Sequence, residues 1–210
     1  MRIAILIFDR LTALDAVGPY EVLSRIPDAE LTFVATEPGP KRTDTGRLAL
    51  VADAAIEELA DPDVLLVPGG EGNRPLMGDE RVLGWIRAAD EGSSWTASVC
   101  TGSLLLGAAG VLEGKRATSH WAYRDRLRAF GATPVAERVV EDGKVITAAG
   151  VSAGIDMGLV LAARIGGVDL AQAIQLGIEY DPAPPFDAGS PEKARDELVE
   201  LVRSLEGADA

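Results

Sequence analysis

The sequence predicts an α/β fold in which a mainly parallel sheet is covered by helices on both faces. Short segments that are apolar at nearly every position recur along the chain, and such segments are typical of strands buried on both faces. Segments with apolar residues at helical spacing separate them. This alternation of strands and helices is the pattern of a parallel sheet. The length of 210 residues fits one domain over residues 1–210.

The first half of the chain predicts the buried strands of this sheet. Apolar, β-prone segments predict strands at residues 2–8, 31–36, 64–67 and 96–99, and a short extended segment at residues 45–52. Helical spacing predicts helices at residues 12–26, 79–91 and 101–109. Pro68 with the two glycines after it ends the third strand, and Gly92 ends the second helix.

The second half predicts further helices and one hairpin. Helices are expected at residues 120–130, 152–165 and 170–179. Asp142 and Gly143 stand between two β-prone segments, residues 138–141 and 144–147, and this dipeptide is a strong hairpin signal. After a proline-rich loop at residues 181–188, Ser190 and Pro191 predict the start of a last helix that runs to about residue 206.

Composition excludes several classes of partner. The formal net charge is −13, and so acidic a surface repels nucleic-acid phosphates and anionic bilayers, so we expect neither partner. Cys100 is the only cysteine, which rules out an internal disulfide. No apolar run reaches the roughly 18 residues of a membrane span, and the run that ends at Phe8 is too short for a signal peptide. We therefore expect a cytoplasmic protein.

Cys100 stands where a predicted strand passes directly into a predicted helix. In Ser98-Val-Cys-Thr-Gly-Ser the strand ends at Val99 and the helix begins at Thr101. This is the layout of a nucleophile elbow, which presents one side chain above the sheet. The helix N-terminus would lower the pKa of the thiol, and its free N–H groups could bind an oxyanion. A buried, inert cysteine is the alternative, and the position between strand and helix favours the reactive one.

Two further strand ends are predicted to meet Cys100, because ligands of open parallel sheets bind beyond the carboxyl ends of the strands. These are the Phe8-Asp9 end of the first strand and the Pro68-Gly69-Gly70 end of the third. The N–H groups of Gly70 and Thr101 could pair there as an oxyanion hole. A plain turn after the strand explains the glycines equally well.

Asp15 and His120 are the other candidates for chemistry. Asp15 lies in the first turn of a helix among apolar neighbours, where burial would raise its pKa and make it an acid beside the thiol. A capping box from Thr12 to Asp15 is the alternative, and the sequence alone favours it. His120, the only histidine, is either a base for Cys100 or a structural residue. One cysteine and one histidine cannot form a zinc site, so no metal is expected.

Taken together, these segments resemble the DJ-1/PfpI superfamily. The residues that carry the resemblance are Asp15-Ala-Val-Gly-Pro-Tyr-Glu-Val-Leu, Val64-Leu-Leu-Val-Pro-Gly-Gly, Ser98-Val-Cys-Thr-Gly-Ser and Ala117-Thr-Ser-His-Trp. Within the superfamily the chain is most similar to the isonitrile hydratase-like subgroup. Thr101 follows the nucleophile where the protease-like branch has histidine, and the helix acid is Asp15 where the DJ-1 branch has glutamate. Residues 179–191 are similar to the same subgroup.

The resemblance implies a flavodoxin-like three-layer sandwich of the class I glutamine amidotransferase type, usually a homodimer, with a small-molecule substrate and no cofactor. It implies that Cys100 attacks the terminal carbon of an isonitrile, with Asp15 as the acid–base partner and Thr101 assisting. Water would then release an N-substituted formamide. Gly70 and His120 would lie near the cysteine, in substrate-binding or oxyanion-binding roles.

Three other functions remain open at this stage. One is a glyoxalase-like or deglycase-like activity on reactive aldehydes. Another is a cysteine redox sensor without turnover, since the chain has no second cysteine to resolve a sulfenic acid. The third is the ligand-sensing part of a transcription regulator, which the single acidic C-terminal helix disfavours because such regulators carry a basic DNA-binding helix pair.

Overall fold

A seven-stranded sheet forms the middle layer of the fold. The computed structural model describes residues 1–206. In chain order its strands are Arg2–Leu6 (β1), Glu30–Ala35 (β2), Gly39–Arg42 (β3), Ala49–Ala52 (β4), Ala54–Ala55 (β5), Val64–Val67 (β6), Trp95–Val99 (β7), Arg116–Ala117 (β8), Thr133–Pro134 (β9), Val139–Asp142 (β10) and Val145–Ala148 (β11). The main sheet has the spatial order β10-β11-β7-β6-β1-β2-β5. Only β10 runs antiparallel to its neighbour, whereas β3–β4 and β8–β9 are separate small pairs.

Helices cover both faces of this sheet, which confirms the predicted three-layer α/β architecture. They are Ala13–Leu23 (α1), Asn73–Leu76 (α2), Glu80–Gly92 (α3), Gly102–Ala108 (α4), Ala153–Gly166 (α5), Val168–Gly177 (α6) and Asp196–Glu206 (α7), with 3-10 helices at Ile56–Leu59 and Arg124–Phe130. The connections β1-α1-β2 and β6-α3-β7 cross the sheet in opposite directions. Right-handed crossovers therefore place α1 and α3 on opposite faces. Helix α5 packs on α1, and α4 packs beside α3.

The two central strands have no exposed side. All four residues of β6 are buried, and Ile3, Ile5 and Leu6 of β1 are at most 1% exposed. This burial explains why the strands are apolar at every position rather than at every second one. The strands β1, β6 and β7 lie side by side and all run in the same direction. The carboxyl ends of these three strands meet at one edge, as predicted.

Two predicted helices are confirmed only in part, because each begins later in the structure than the sequence predicts. Residues 120–130 form a turn and then the 3-10 helix Arg124–Phe130. Tyr123 and Leu127 are buried there, and apolar residues four positions apart do not distinguish a 3-10 helix from an α-helix. The last helix begins at Asp196 rather than Ser190. The Ser190 carbonyl instead accepts from the N–H groups of Lys193 and Ala194 and closes a separate turn.

The predicted hairpin at Asp142 and Gly143 is confirmed by the β10–β11 pair. The strands β3, β5, β8 and β9 were missed because they have only two to four residues each and contain no apolar, β-prone segment. Within residues 1–206, no helix is both long and apolar enough to cross a bilayer.

Candidate active site

Cys100 occupies a sharp turn between β7 and α4. Its φ angle is +57°, in the left-handed region that side-chain-bearing residues rarely adopt. The surrounding hydrogen bonds hold this conformation. Its N–H lies 3.1 Å from the Ala148 carbonyl and 3.0 Å from the Ala149 carbonyl, and its own carbonyl accepts from the hydroxyls of Ser103 and Ser119. The backbone therefore holds the thiol at the carboxyl edge of the sheet, as the sequence predicts for a nucleophile elbow.

The Asp15 side chain reaches the thiol from α1 and is completely buried. Its Oδ2 accepts the Gly69 N–H at 3.0 Å, and the carboxyl also hydrogen-bonds the Cys100 side chain. Its Oδ1 is buried without a partner. Burial raises the pKa of Asp15 from 3.8 to about 7, although the Gly69 N–H and the Cys100 thiol partly oppose this rise. The carboxyl is thus a proton donor near neutral pH.

The capping alternative for Asp15 is wrong. The Thr12 hydroxyl makes no hydrogen bond to the helix backbone and instead donates to Oδ2 of Asp44 at 2.9 Å. Asp15 turns away from the helix end and toward the carboxyl edge of the sheet. Its side chain therefore lies beside Gly69 and Cys100 and takes no part in capping the helix.

The expected lowering of the Cys100 pKa is also wrong. Burial and the neighbouring Asp15 carboxyl raise the pKa of the thiol well above its usual range. The backbone N–H groups of Thr101 and Val151 hydrogen-bond the sulfur and partly oppose this rise. The helix N-terminus and its N–H groups, which favour the thiolate, are therefore outweighed. Helix α4 has only seven residues, and the thiol faces an acid rather than a base. The resting thiol is neutral.

Thr101 is held by two donors from the β6–α3 connection. Its Oγ1 accepts the Gly70 N–H at 3.0 Å and the Asn73 amide Nδ2 at 3.3 Å. Gly70 has φ of +127°, and a Cβ there would lie 2.6 Å from backbone atoms of residues 10 and 12. Gly70 therefore acts on the Thr101 hydroxyl here, and its pairing with the Thr101 N–H as an oxyanion hole stays a prediction.

Asn73 is the residue of this site that sequence reasoning missed. It is only 2% exposed and lines the same cavity as Cys100 and Thr101. The one signal for it was its place, three residues after Gly70, in a loop already predicted to converge on the cysteine. No motif separates it from an ordinary loop asparagine.

A cavity of about 310 Å³ opens above Cys100 and Thr101. Its size suits a small molecule and is near the lower limit for ligand pockets. Apolar and charged side chains both line it. The apolar ones are Met77, Leu104, Tyr123 and Leu205, and the charged ones are Asp44, Glu71, Arg74 and Arg126.

His120 lies in a neighbouring cavity rather than in this one. That cavity, of about 520 Å³, is the larger of the two, and Cys100 does not line it. The His120 ring packs so closely on Gly150 that a Cβ there would lie 2.6 Å from Cδ2. Its ring also contacts those of Trp121 and Tyr123. A base role for His120 stays a prediction. The smaller cavity is the candidate active site because Cys100 lines it.

No group of three or more histidine, cysteine, aspartate or glutamate side chains is arranged to hold a metal ion within residues 1–206. At the carboxyl edge of the sheet, Asp15 Oδ2 and Thr101 Oγ1 instead accept backbone N–H groups, while Oδ1 of Asp15 and Oδ1 of Asn73 are buried without a partner. The Cys100 thiol and the Thr101 hydroxyl line the cavity, and the Asp15 carboxyl lies buried behind the thiol.

Comparison with known proteins identifies the family to which this architecture belongs. The sequence profile of the DJ-1/PfpI family matches residues 1–164. The chain belongs to the DJ-1/PfpI family. The resemblance seen in the sequence segments is thereby confirmed.

Individual members of the DJ-1/PfpI family are similar over nearly the whole chain. Isonitrile hydratase from Pseudomonas putida is 48% identical over 203 residues, which cover 97% of this chain and 89% of that protein. A ThiJ/PfpI family protein from Pseudomonas syringae, solved by crystallography, superposes with a TM-score of 0.95 at 39% identity, covering 98% of this chain and 86% of that one. A transcriptional regulator from Pseudomonas aeruginosa is 32% identical over 170 residues, and the chain spans only 49% of its length.

Within this DJ-1/PfpI site, the backbone of Gly69 is in close contact with the Asp15 carboxyl and with the N–H and the hydroxyl of Thr101. A Cβ at this position would lie 2.7 Å from both N and Oγ1 of Thr101 and 2.8 Å from Oδ2 of Asp15. Gly69→Ala is therefore expected to displace the acid and the hydroxyl and to lower turnover by about 10²-fold. Steady-state kinetics with thermal unfolding as a fold check would measure it. Gly177→Ala, where a Cβ meets nothing within 4 Å, is the matched control, and equal activity in both variants would contradict this account.

Proposed function

We propose that this protein hydrates a small isonitrile to an N-substituted formamide, with Cys100 as the nucleophile and Asp15 as the acid. The observation that carries the proposal is the direct contact between a neutral thiol and a buried carboxyl whose pKa is about 7. An isonitrile carbon accepts a nucleophile only if it also gains a proton. A nucleophile paired with an acid is therefore the required arrangement, whereas a nucleophile paired with a base is not.

In the first step the Cys100 sulfur bonds to the terminal carbon of the isonitrile. That carbon takes the proton of Asp15 as the S–C bond forms, and the thiol proton passes to the Asp15 carboxylate. The product is a thioimidate, in which the former isonitrile carbon carries one hydrogen, the sulfur and a double bond to nitrogen. Asp15 ends the step neutral, so the buried site gains no net charge, which a low-dielectric environment favours.

In the second step water adds to the same carbon and the nitrogen gains a proton. The C–S bond then breaks, the hydroxyl of the adduct gives its proton to the sulfur, and an N-substituted formamide leaves. Asp15 acts again as the proton carrier between water and the leaving sulfur. The backbone N–H groups of Thr101 and Val151 face the sulfur and stabilise the negative charge that develops on it as the bond breaks.

The similarity to Pseudomonas putida isonitrile hydratase supports the same reaction class from an independent direction. The alternatives find less support in the site. A redox sensor needs a thiol that ionises easily, and the pKa of Cys100 is raised. An aldehyde-processing enzyme gains from a base beside the nucleophile, and the only histidine lines another cavity.

The test is product formation from cyclohexyl isocyanide in H₂¹⁸O, followed by chromatography and mass spectrometry. Cyclohexylformamide with one ¹⁸O atom is expected, because the oxygen comes from water. Methylglyoxal and hydrogen peroxide are the comparison reagents. Methylglyoxal turnover without formamide would replace the proposal with an aldehyde activity. Rapid oxidation of Cys100 without any turnover would replace it with a sensor.

We also propose a cytoplasmic homodimer of single-domain chains that binds a small molecule and neither nucleic acid nor membrane. The acidic net charge of −13 supports the absence of nucleic-acid binding. Exposed apolar side chains, among them Leu176 and Phe186 at 81% exposure, support burial against a second copy. Light scattering of the purified protein is expected to give twice the chain mass of 22.0 kDa, and the mass of one chain would rule the dimer out.

A further inference from the structure

The Thr101 hydroxyl has both of its acceptor positions occupied. A hydroxyl group has two lone pairs and one proton. The Gly70 N–H takes one lone pair at 3.0 Å, and the Asn73 Nδ2 takes the other at 3.3 Å. Neither neighbour can accept a proton through these contacts. The hydroxyl proton is therefore left to donate elsewhere, and Thr101 lines the cavity that opens above Cys100.

The orientation of the Asn73 amide decides whether Thr101 faces a hydrogen-bond donor or an acceptor. Its amide presents Nδ2, a donor, to Thr101 Oγ1, while its Oδ1 is buried without a partner. The opposite orientation would put an acceptor against Thr101 and draw the hydroxyl proton away from the cavity. An orphaned buried carbonyl oxygen costs free energy, so the structure keeps the donor on Thr101 at the expense of stability.

We propose that Asn73 is a positioning residue that fixes the Thr101 hydroxyl as a hydrogen-bond donor to the bound substrate. The proposal rests on the hydration reaction proposed for Cys100. When the sulfur bonds to the isonitrile carbon, a lone pair develops on the nitrogen, and a fixed hydroxyl donor in the cavity stabilises it. A hydroxyl that rotates freely would spend part of its time turned the wrong way, and preorganised donors are the ones that accelerate reactions.

Asn73→Asp reverses the polarity of this contact at nearly constant shape. The new carboxylate accepts the Thr101 proton, so kcat is expected to fall roughly ten- to a hundredfold while KM changes little. Asn73→Ala removes the donor without adding a charge, and a smaller loss of kcat is expected. The alanine variant keeps the test open if the buried charge of Asn73→Asp prevents folding.

A double-mutant cycle with Thr101→Val separates positioning from a general structural role. If Asn73 acts through the hydroxyl, Thr101→Val alone lowers kcat, and adding Asn73→Asp or Asn73→Ala to it lowers kcat no further. Equal losses with and without the Thr101 hydroxyl would overturn the proposal. Thr101→Ser keeps the hydroxyl and is expected to restore the sensitivity to Asn73.

Neutron diffraction of the deuterium-exchanged protein tests the inference without relying on turnover. We expect deuterium on Thr101 Oγ1 directed into the cavity, and one Asn73 Nδ2 deuterium facing Oγ1. Deuterium on Oγ1 facing Asn73 would overturn the inference even if the enzyme hydrates isonitriles. Absence of formamide from the wild-type protein would instead overturn the proposed reaction and leave the diffraction result to decide the orientation of Thr101.

Discussion

Replacing Cys100 by alanine is expected to abolish formamide formation, with a rate loss of about 10⁴-fold or more. The reason is that the first step forms a bond to the sulfur, and no other side chain in the cavity is a comparable nucleophile. Chromatographic assay of cyclohexylformamide measures the loss. Cys100→Ser preserves the size and the backbone hydrogen bonds of the elbow, so it tests whether the loss follows the thiol itself. Turnover within tenfold of wild type in either variant would exclude covalent catalysis by Cys100.

The covalent intermediate gives an independent check on the same step. Acid quenching of wild-type protein during turnover is expected to trap a species heavier by the mass of the isonitrile, because the thioimidate contains all atoms of the substrate. Cys100 is the only cysteine in the chain, so peptide mapping assigns the adduct without ambiguity. An adduct on another residue would contradict the assignment.

Replacing Asp15 by asparagine is expected to lower kcat/KM by about 10² to 10³-fold, since asparagine keeps the shape of the side chain but cannot supply a proton. The pH profile tests the same role in the wild-type protein. Because the active form is the protonated carboxyl with a pKa of about 7, kcat/KM is expected to be flat below this pH and to fall about tenfold per pH unit above it. Activity that rises with pH through 7 would mean that Asp15 works as a base.

Thermal unfolding of the same variant distinguishes a loss of activity from a loss of fold. Burial raises the pKa of Asp15 from 3.8 in its ordinary state to about 7 in the folded protein. The folded state therefore binds more protons than the unfolded state between these values, and stability falls as pH rises through this range. Above pH 7 the full penalty of about 4 kcal/mol applies. Asp15→Asn is expected to unfold at a higher temperature than wild type at pH 8, and less so at pH 4.

Residues in the buried strands and at their ends were the predictable part of the site. The sequence places Cys100 directly after an apolar strand, and parallel strands bring Gly70 to the same edge. Burial of an entire strand leaves a clear pattern in sequence, and the convergence of strand ends follows from topology alone. Both the elbow and the convergence of the loops can therefore be predicted from the sequence alone.

The electrostatics of the site were not predictable in the same way. The pKa of Cys100 depends on its distance from Asp15 and on how deeply both are buried, and these quantities come from packing between α1 and the elbow. The prediction that Thr12 and Asp15 form a capping box failed for a similar reason. The Thr12 hydroxyl donates to Asp44, which lies in the turn between β3 and β4. Asn73 carried no local signal because its partner Thr101 is 28 residues away.

The origin of the site in four separate parts of the chain has a consequence for folding. Asp15 and Gly69 are joined across 54 residues, and Gly70 and Thr101 across 31, while the sulfur also needs the backbone of Val151. Long-range closures of this kind form late, because the entropy of each loop is lost before its contacts are gained. A chain arrested with β11 unpaired would carry the cysteine without its second N–H donor. Recovery of catalysis during refolding therefore reports that the strands β1, β6, β7 and β11 have come together, whereas recovery of helical signal reports only local segments.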